Sequence, residues 1–247
     1  MKKMVQASYL IRQTFKNTYD KYLLKGDNFY CPLCDTGYKL FLSAGVIPRK
    51  NARCPGCNSL ERHRLLWLVL ETLWESKQIA KGGFLLHVAP EFSLAKKLKK
   101  SYEYLSVDLD GNLAMQSMDI TDINLPDETF DAIIANHVME HIVNDFKALQ
   151  ELYRVLKPGG WASIQVPLRG EITQEDFSIT DPKQREKLYG QSDHVRQYGY
   201  DFKERLTNVG FKVLVFKKES FDSKTIEKIS VECENEVWIC RKLEASH

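Results

Sequence analysis

The chain has 247 residues, 43% of them hydrophobic and 28% charged, enough to bury a sizeable core as one large domain or as a domain with an appendage. The longest purely apolar run, LLWLVL, is far too short to cross a bilayer, and no signal-length apolar run follows the two N-terminal lysines, so a cytoplasmic protein with no membrane partner is expected. The net charge of +2 hides an asymmetry: 13 Lys and Arg face 6 Asp and Glu in residues 1–80, against 22 and 27 in the remainder. A basic N-terminal third suits a nucleic-acid-facing surface, although four metal-bound thiolates there would add about −2 and offset it.

In chain order, SYLIRQTFKNTYDKYLL has apolar residues at helical spacing and predicts an amphipathic helix packed on the body. CPLC (Cys31, Cys34) and CPGC (Cys54, Cys57) come next, with nineteen residues between the pairs. That is the spacing of a zinc ribbon over about residues 28–58, each knuckle presenting two thiolates to one ion. A disulfide pair is the alternative, and it needs an oxidising compartment. Four thiolates saturate a tetrahedral Zn2+, so the ion would be structural, compensating for the small core of a short segment. Beyond the second knuckle, SLERHRLLWLVLETLWESKQI predicts a long helix with Ser59 as its N-cap, linking the ribbon to the C-terminal two thirds of the chain. Residues 1–80 are thus read as helix, ribbon and linking helix, with Arg62, His63 and Arg64 anchoring helix to ribbon.

From Gly83 short apolar runs alternate with helical segments: FLLHVA, EFSLAKKLKK, YEYLSVDL, TFDAIIAN, DFKALQELYRVL and WASIQVP. Such alternation implies an α/β domain, a mostly parallel sheet with helices on both faces. FKVLVFKK and EVWICRKL, after the helix YDFKERLTNV and Gly210, suit a short antiparallel addition at the sheet edge, with Cys233 and Cys240 as ordinary buried thiols.

The helix DFKALQELYRVL puts Phe146, Leu149, Leu152, Tyr153 and Leu156 on one face, and KPGG then stops it. Together with LPDETFDAIIANHVMEHI, this stretch resembles the class I S-adenosylmethionine-dependent methyltransferases of the type 11-like branch. The resemblance covers roughly residues 83–243. It implies a Rossmann-like, mostly parallel seven-stranded sheet, a methyltransferase domain over 81–247 with a lid-like insertion at about 168–198, and S-adenosyl-L-methionine as cofactor.

In open α/β sheets ligands bind beyond the carboxyl ends of the strands. The first strand would deliver His87, Ala89, Pro90 and Glu91. The second ends in Asp108, nineteen positions after Ala89, near the interval at which an acid meets a ribose diol. In the family's terms Asp119 resembles the acid that accepts from the adenine amino group, with Ile120 beside it, while Asn136 and His137 would lie by the methionine part. Asp119 serves equally as a turn cap. The first loop, LLHVAPEFS, has no glycine: His87 stands where the family has an acid, and Ala89, Glu91 and Ser93 where it has glycines. Pro90 makes a stiffer turn. Glu91 would then meet the cofactor's ammonium and His87 its carboxylate, or else only backbone atoms bind.

Methyl transfer needs alignment and a deprotonated acceptor, so one base suffices. His141, one turn after His137, is a candidate base or a histidine fixing that turn. In SDHVRQYG, His194, Arg196 and Tyr198 alternate and would face an acidic or hydroxylated substrate, or form a salt-bridged surface loop. The combined reading is a methyltransferase acting on an O, N or S atom of a small or carrier-bound metabolite. The alternatives are an RNA methyltransferase docking RNA on its ribbon, and a zinc-organised scaffold that has lost cofactor binding.

Overall fold

The computed structural model of the chain describes residues 21–45, 47–111, 114–233 and 235–244; of the helix expected over 8–24, all but the last four residues lie outside them. Two compact units result. One comprises the described residues up to Thr72 with Phe92–Lys97 and Lys217–Glu236, the other Leu73–Glu91, Leu98–Phe216 and the residues from Val237 onward.

In the first unit β1 (Lys25–Cys31) pairs antiparallel with β2 (Thr36–Tyr38), and β3 (Leu42–Ala44) with β4 (Arg49–Arg53). CPLC forms the turn after β1 and CPGC comes after β4, so two short hairpins carry the cysteine pairs. Helix α1 (Glu61–Glu75) begins two residues after Ser59. Ser59 does not cap it: the Leu60 carbonyl accepts from the Arg64 amide, and Nδ1 of His63 accepts from the Leu60 amide at 3.0 Å, a histidine version of the capping box. The Ser59 hydroxyl lies instead 3.2 Å from Sγ of Cys31. Leu65, Leu66, Val69 and Leu70 form the buried stripe of α1.

The second unit is built on a seven-stranded sheet: β5 (Phe84–Val88), β6 (Glu103–Asp108), β7 (Gln116–Ser117), β8 (Phe130–Ile134), β9 (Leu156–Ser163), β12 (Lys212–Lys217) and β13 (Glu236–Arg241), in the order β12-β13-β9-β8-β5-β6-β7. Pairs among β5 to β9 are parallel, and β13 runs antiparallel to β9. Strands buried on both faces read as continuous apolar runs, as FLLHV and FDAII do. The core gathers Leu86, Val107, Phe130, Ile133, Leu149, Leu152 and Phe202.

Two helices frame this core, α3 (Asp145–Val155) and α5 (Phe202–Val209); α2 (Phe92–Leu98) comes directly after the first loop. The buried side of α3 is Ala148, Leu149, Leu152 and Val155; Phe146, expected on that face, is 43% exposed, and Leu156 already belongs to β9. Proline and glycine explain the immediate switch from helix to strand. Pro158 cannot continue the helix, Gly159 takes φ +78°, and a Cβ on Gly160 would come within 2.8 Å of the Lys157 carbonyl and 3.1 Å of that of Asp131. Within the 168–198 insertion a short pair, β10 (Gln174–Glu175) with β11 (Arg196–Gln197), flanks α4 (Pro182–Tyr189). Cys240 is buried as expected, but Cys233 is exposed because it lies in the turn before β13. No helix among the described residues is long and apolar enough to cross a membrane.

Candidate cofactor cavity and cysteine cluster

The sheet order reverses at β5, with β6 and β7 on one side of it and β8 and β9 on the other. That switch point is where an open α/β sheet receives a ligand. A cavity of about 550 Å³ opens there, lined by Ala89 after β5, Asp108 to Asp110 at the end of β6, Met118 to Ile120 beyond β7, and His137, His141 and Asp193. Its volume suits a cofactor of nucleoside size.

Of the residues expected to bind cofactor, Ala89, Asp108, Asp119, Ile120 and His137 meet at this cavity. Asp108 ends β6, and one of its oxygens already accepts from the Asp110 amide at 3.1 Å. Asp119 also shapes its turn, accepting from the Thr121 amide and hydroxyl at 2.8 Å each. Other side chains expected here are engaged elsewhere. His87 is fully buried between Glu91 Oε2 and the Tyr104 hydroxyl, both at 2.9 Å, which corrects its assignment to the cofactor's carboxylate end. Glu91, expected to meet the cofactor's ammonium, gives that oxygen to His87 and is not among the residues lining the cavity. Pro90 does not line the cavity, and Asn136 turns inward to accept from the Ser163 hydroxyl at 2.8 Å.

The missing glycines are replaced in an unexpected way. Ala89 itself takes a left-handed backbone, φ +46°, while its amide donates to the Val107 carbonyl at 2.8 Å. His137, on the opposite side of the switch point, does the same at φ +55°. Non-glycine residues in this region carry strain of order 1–2 kcal/mol, and such strain concentrates at functional sites. Two strained loop residues thus border one cavity.

The candidate catalytic residues divide. His141 lines the cavity, with Nδ1 3.3 Å from Asp193 Oδ2, and its ring meets His194 edge-on with centroids 4.8 Å apart. Arg196 and Tyr198 are 1% and 0% exposed. Arg196 donates to Glu175 Oε2 at 2.7 Å and to the Met139 and Val143 carbonyls at 3.1 and 2.8 Å. The Tyr198 hydroxyl donates to Asp145, which also accepts from Arg205 at 2.9 Å. Burial and the neighbouring Asp145 push Tyr198 well above the usual phenol range, so it stays protonated. These corrections have one cause: the alternating side chains of SDHVRQYG do share a face, but that face is turned into the protein, where it pins the insertion to the turn bearing His141. Sequence reasoning passed over Leu109, Met118, Val138, Ile142 and Asp193 as cavity residues. The strand-end rule would have found Leu109 and Val138 by proximity alone.

In the first unit the sulfurs of Cys31, Cys34, Cys54 and Cys57 lie within 4.8 Å of one another, with Cys31 to Cys57 at 3.5 Å and Cys34 to Cys54 at 3.6 Å. A tetrahedral ion with sulfur at 2.3 Å spaces its ligands by roughly 3.8 Å. Hydrogen bonding from Cys34 holds the Cys31 thiol far below its ordinary value, while Cys31 drives Cys54 and Cys57 far above theirs. A central dication removes that conflict, since four thiolates then share one positive partner. Gly56 is required for close approach: a Cβ there would lie 2.0 Å from the Tyr38 hydroxyl. Beneath the cluster Arg64, wholly buried, donates to the Ser59, Ala52, Ile229 and Ser230 carbonyls at 2.6–3.1 Å. Desolvation lowers its pKa, opposed by negative charge on the Cys31 and Cys54 sulfurs and on Glu61.

Residues 79–164 match the family model of a methyltransferase domain. That match covers about a third of the chain. A 50-residue stretch is 40% identical to the ubiquinone/menaquinone biosynthesis C-methyltransferase UbiE of Hydrogenovibrio crunogenus, spanning 20% of this chain and 20% of that enzyme. Among solved structures, the YcgJ protein of Bacillus subtilis is 14% identical with TM-score 0.49, covering 74% of this chain and all of that one. A SAM-dependent methyltransferase of Archaeoglobus fulgidus is 18% identical with TM-score 0.48, covering 71% and 94%. The matched segment contains β5, β6 and β8, and with them Ala89, Asp108, Asp119, His137 and His141.

Proposed function

We propose that the protein is a cytoplasmic S-adenosylmethionine-dependent methyltransferase acting on an O, N or S atom of a small or carrier-bound metabolite, with a structural Zn2+ held by Cys31, Cys34, Cys54 and Cys57. The observation that carries this reading is the position of Asp108: it ends the second strand of the sheet, beside the switch point, on the wall of a cavity of nucleoside size. A carboxylate there accepts from two vicinal hydroxyls at once, as a ribose diol requires. Asp119 and Ile120 offer a polar acceptor and an apolar wall to an adenine ring, and the mainchain of Ala89 is open to close approach because its side chain is a single methyl.

S-adenosylmethionine supplies, when bound, an electrophilic methyl group on a sulfonium. The chain's part is to align an acceptor lone pair with that carbon and to receive the acceptor's proton. His137, His141 and Asp193 form the polar wall on which an acceptor would be held. Loss of the loop glycines is compatible with this cofactor, which has no pyrophosphate to cradle. A polynucleotide acceptor is the competing reading, favoured by the basic composition of residues 1–80; steeply salt-dependent RNA binding would support it.

The test is calorimetric titration of zinc-loaded protein with S-adenosylmethionine and S-adenosylhomocysteine, with Asp108→Ala alongside. Micromolar binding, about 8 kcal/mol, lost in the variant supports the reading. Absence of binding in the wild type would remove it in favour of a scaffold.

A further inference from the structure

Beside the cavity, a 3₁₀ turn (Met139–His141) and His194 bring one carboxylate and two imidazoles together: ligand atoms of Glu140, His141 and His194 lie within 4.8 Å of one another. Glu140 and His194 are 2% and 3% exposed. Each keeps one buried polar atom without a hydrogen-bond partner, Oε2 of Glu140 and Nε2 of His194. A buried polar atom left unsatisfied costs about 1–3 kcal/mol, so two in one cluster call for a shared partner.

The remaining contacts say what kind of partner. Nδ1 of His194 lies 2.9 Å from the Tyr189 carbonyl. A carbonyl only accepts, so Nδ1 carries the proton and Nε2 keeps its lone pair. That is the tautomer of a metal-binding histidine oriented by a backbone carbonyl behind it. Glu140 Oε1 lies 3.4 Å from His137 Nδ1, which leaves Oε2 available, and Asp193, 3.3 Å from His141, adds a carboxylate at the rim. The cluster is also held in place: the Val195 amide donates to the Glu140 carbonyl at 2.9 Å, and Arg196 grips the carbonyls on either side of His141.

We propose that Glu140, His141 and His194 bind one divalent transition cation in the range Mn2+ to Zn2+, with Asp193 or water completing its coordination. Two imidazoles and one carboxylate suit these ions rather than Mg2+ or Ca2+, which take oxygen ligands. Donors about 2.1 Å from an ion sit roughly 3.0–3.4 Å apart, so the three side chains would draw together on binding. A consequence for the acceptor rests on the methyltransferase reading. Because His141 lines the cavity, an open position on the cation would take an acceptor oxygen and lower the pKa of its hydroxyl, which favours hydroxylated acceptors that carry a second oxygen donor.

The experiment uses the full-length, zinc-loaded protein. Mn2+ is titrated in and its free aqua ion monitored by electron paramagnetic resonance, since Mn2+ does not displace zinc from thiolates. S-adenosylhomocysteine is titrated by calorimetry into the same preparation. One Mn2+ per chain is expected, with affinity weakened by at least about tenfold in Glu140→Gln and in His194→Gln, and with zinc content unchanged. Co2+ should show a d–d absorption band without a thiolate charge-transfer band. Wild-type protein that binds neither ion overturns the proposal, as does Mn2+ binding that survives both substitutions. S-adenosylhomocysteine bound without Mn2+ would leave the methyltransferase reading standing and remove the metal site; Mn2+ bound without S-adenosylhomocysteine would do the reverse.

Discussion

Arg64→Met should be among the most damaging single changes in the first unit. Methionine keeps the length of the apolar stem and removes only the guanidinium. Four carbonyls, at Ile229 (2.6 Å), Ser230 (2.7 Å), Ser59 (2.9 Å) and Ala52 (3.1 Å), then lose this donor in a place water does not reach, Ser59 keeping a second in the Cys54 amide at 2.9 Å. Hydrogen bonds from a charged donor contribute about 1.5–3 kcal/mol each, a gross loss of roughly 6–12 kcal/mol. Against this stands the desolvation of a buried cation, several kcal/mol, which methionine does not incur. The expected net loss is about 3–5 kcal/mol, a large share of the 5–15 kcal/mol that holds a typical domain folded. Zinc should also leave at a lower chelator concentration, because the guanidinium offsets the charge of about −2 on a four-thiolate site. Urea denaturation tracked by circular dichroism, with chelator-linked zinc release on the same samples, measures both. Arg64→Lys should recover only part of the stability, since an ammonium lacks the planar fork that reaches several carbonyls. A loss below about 1 kcal/mol with zinc retention unchanged would show that these carbonyls are satisfied without Arg64 and would refute the reasoning.

Changes at two further positions test the second unit. Ala89→Gly relieves a left-handed backbone at φ +46° and should raise stability by about 1 kcal/mol with cofactor affinity unchanged, whereas Ala89→Val should lower both; equal melting temperatures for the two variants would contradict the strain argument. Glu151 is held below its ordinary value of 4.5 chiefly by Arg154, 2.7 Å away, helped by the Ile123 amide. Its folded-state pKa is depressed, so its contribution is present above pH 4.5 and disappears as pH falls through the depressed value. The stability gap between wild type and Glu151→Gln, read from urea midpoints, should therefore be largest near neutrality and close under acid; a gap independent of pH would argue against the pairing.

Features encoded locally were legible in the sequence. The two CxxC pairs, the KPGG break after α3 and the Asp at the end of the second strand each depend on neighbours within a few positions, and the structure places them in a sulfur cluster, a helix-to-strand switch and a cavity wall. What could not be read was the direction of a face. Alternation correctly grouped Arg196 with Tyr198, but period-two spacing is the same whether the shared side meets solvent or the interior. His87 posed the same problem: its partner Tyr104 comes from the adjacent strand, 17 positions away. Glu140 escaped notice because a lone glutamate in a short turn reads as a surface residue until Val195, more than fifty positions later, closes over it.

The return of Lys217–Glu236 to the first unit has a consequence for how the protein is made. The cysteine knuckles leave the ribosome well before two of the carbonyls that Arg64 binds, which lie 165 and 166 positions downstream of it. Closing a loop of that length costs about 4.5 kcal/mol of chain entropy beyond a constant, and it cannot begin until Ile229 and Ser230 have been synthesised. Until then Arg64 has only its local acceptors, the Ala52 and Ser59 carbonyls. Chains released before Lys217 would keep every cysteine of the two knuckles and the whole family-matched segment but lack the stretch of backbone whose carbonyls bind Arg64 from the far end of the chain.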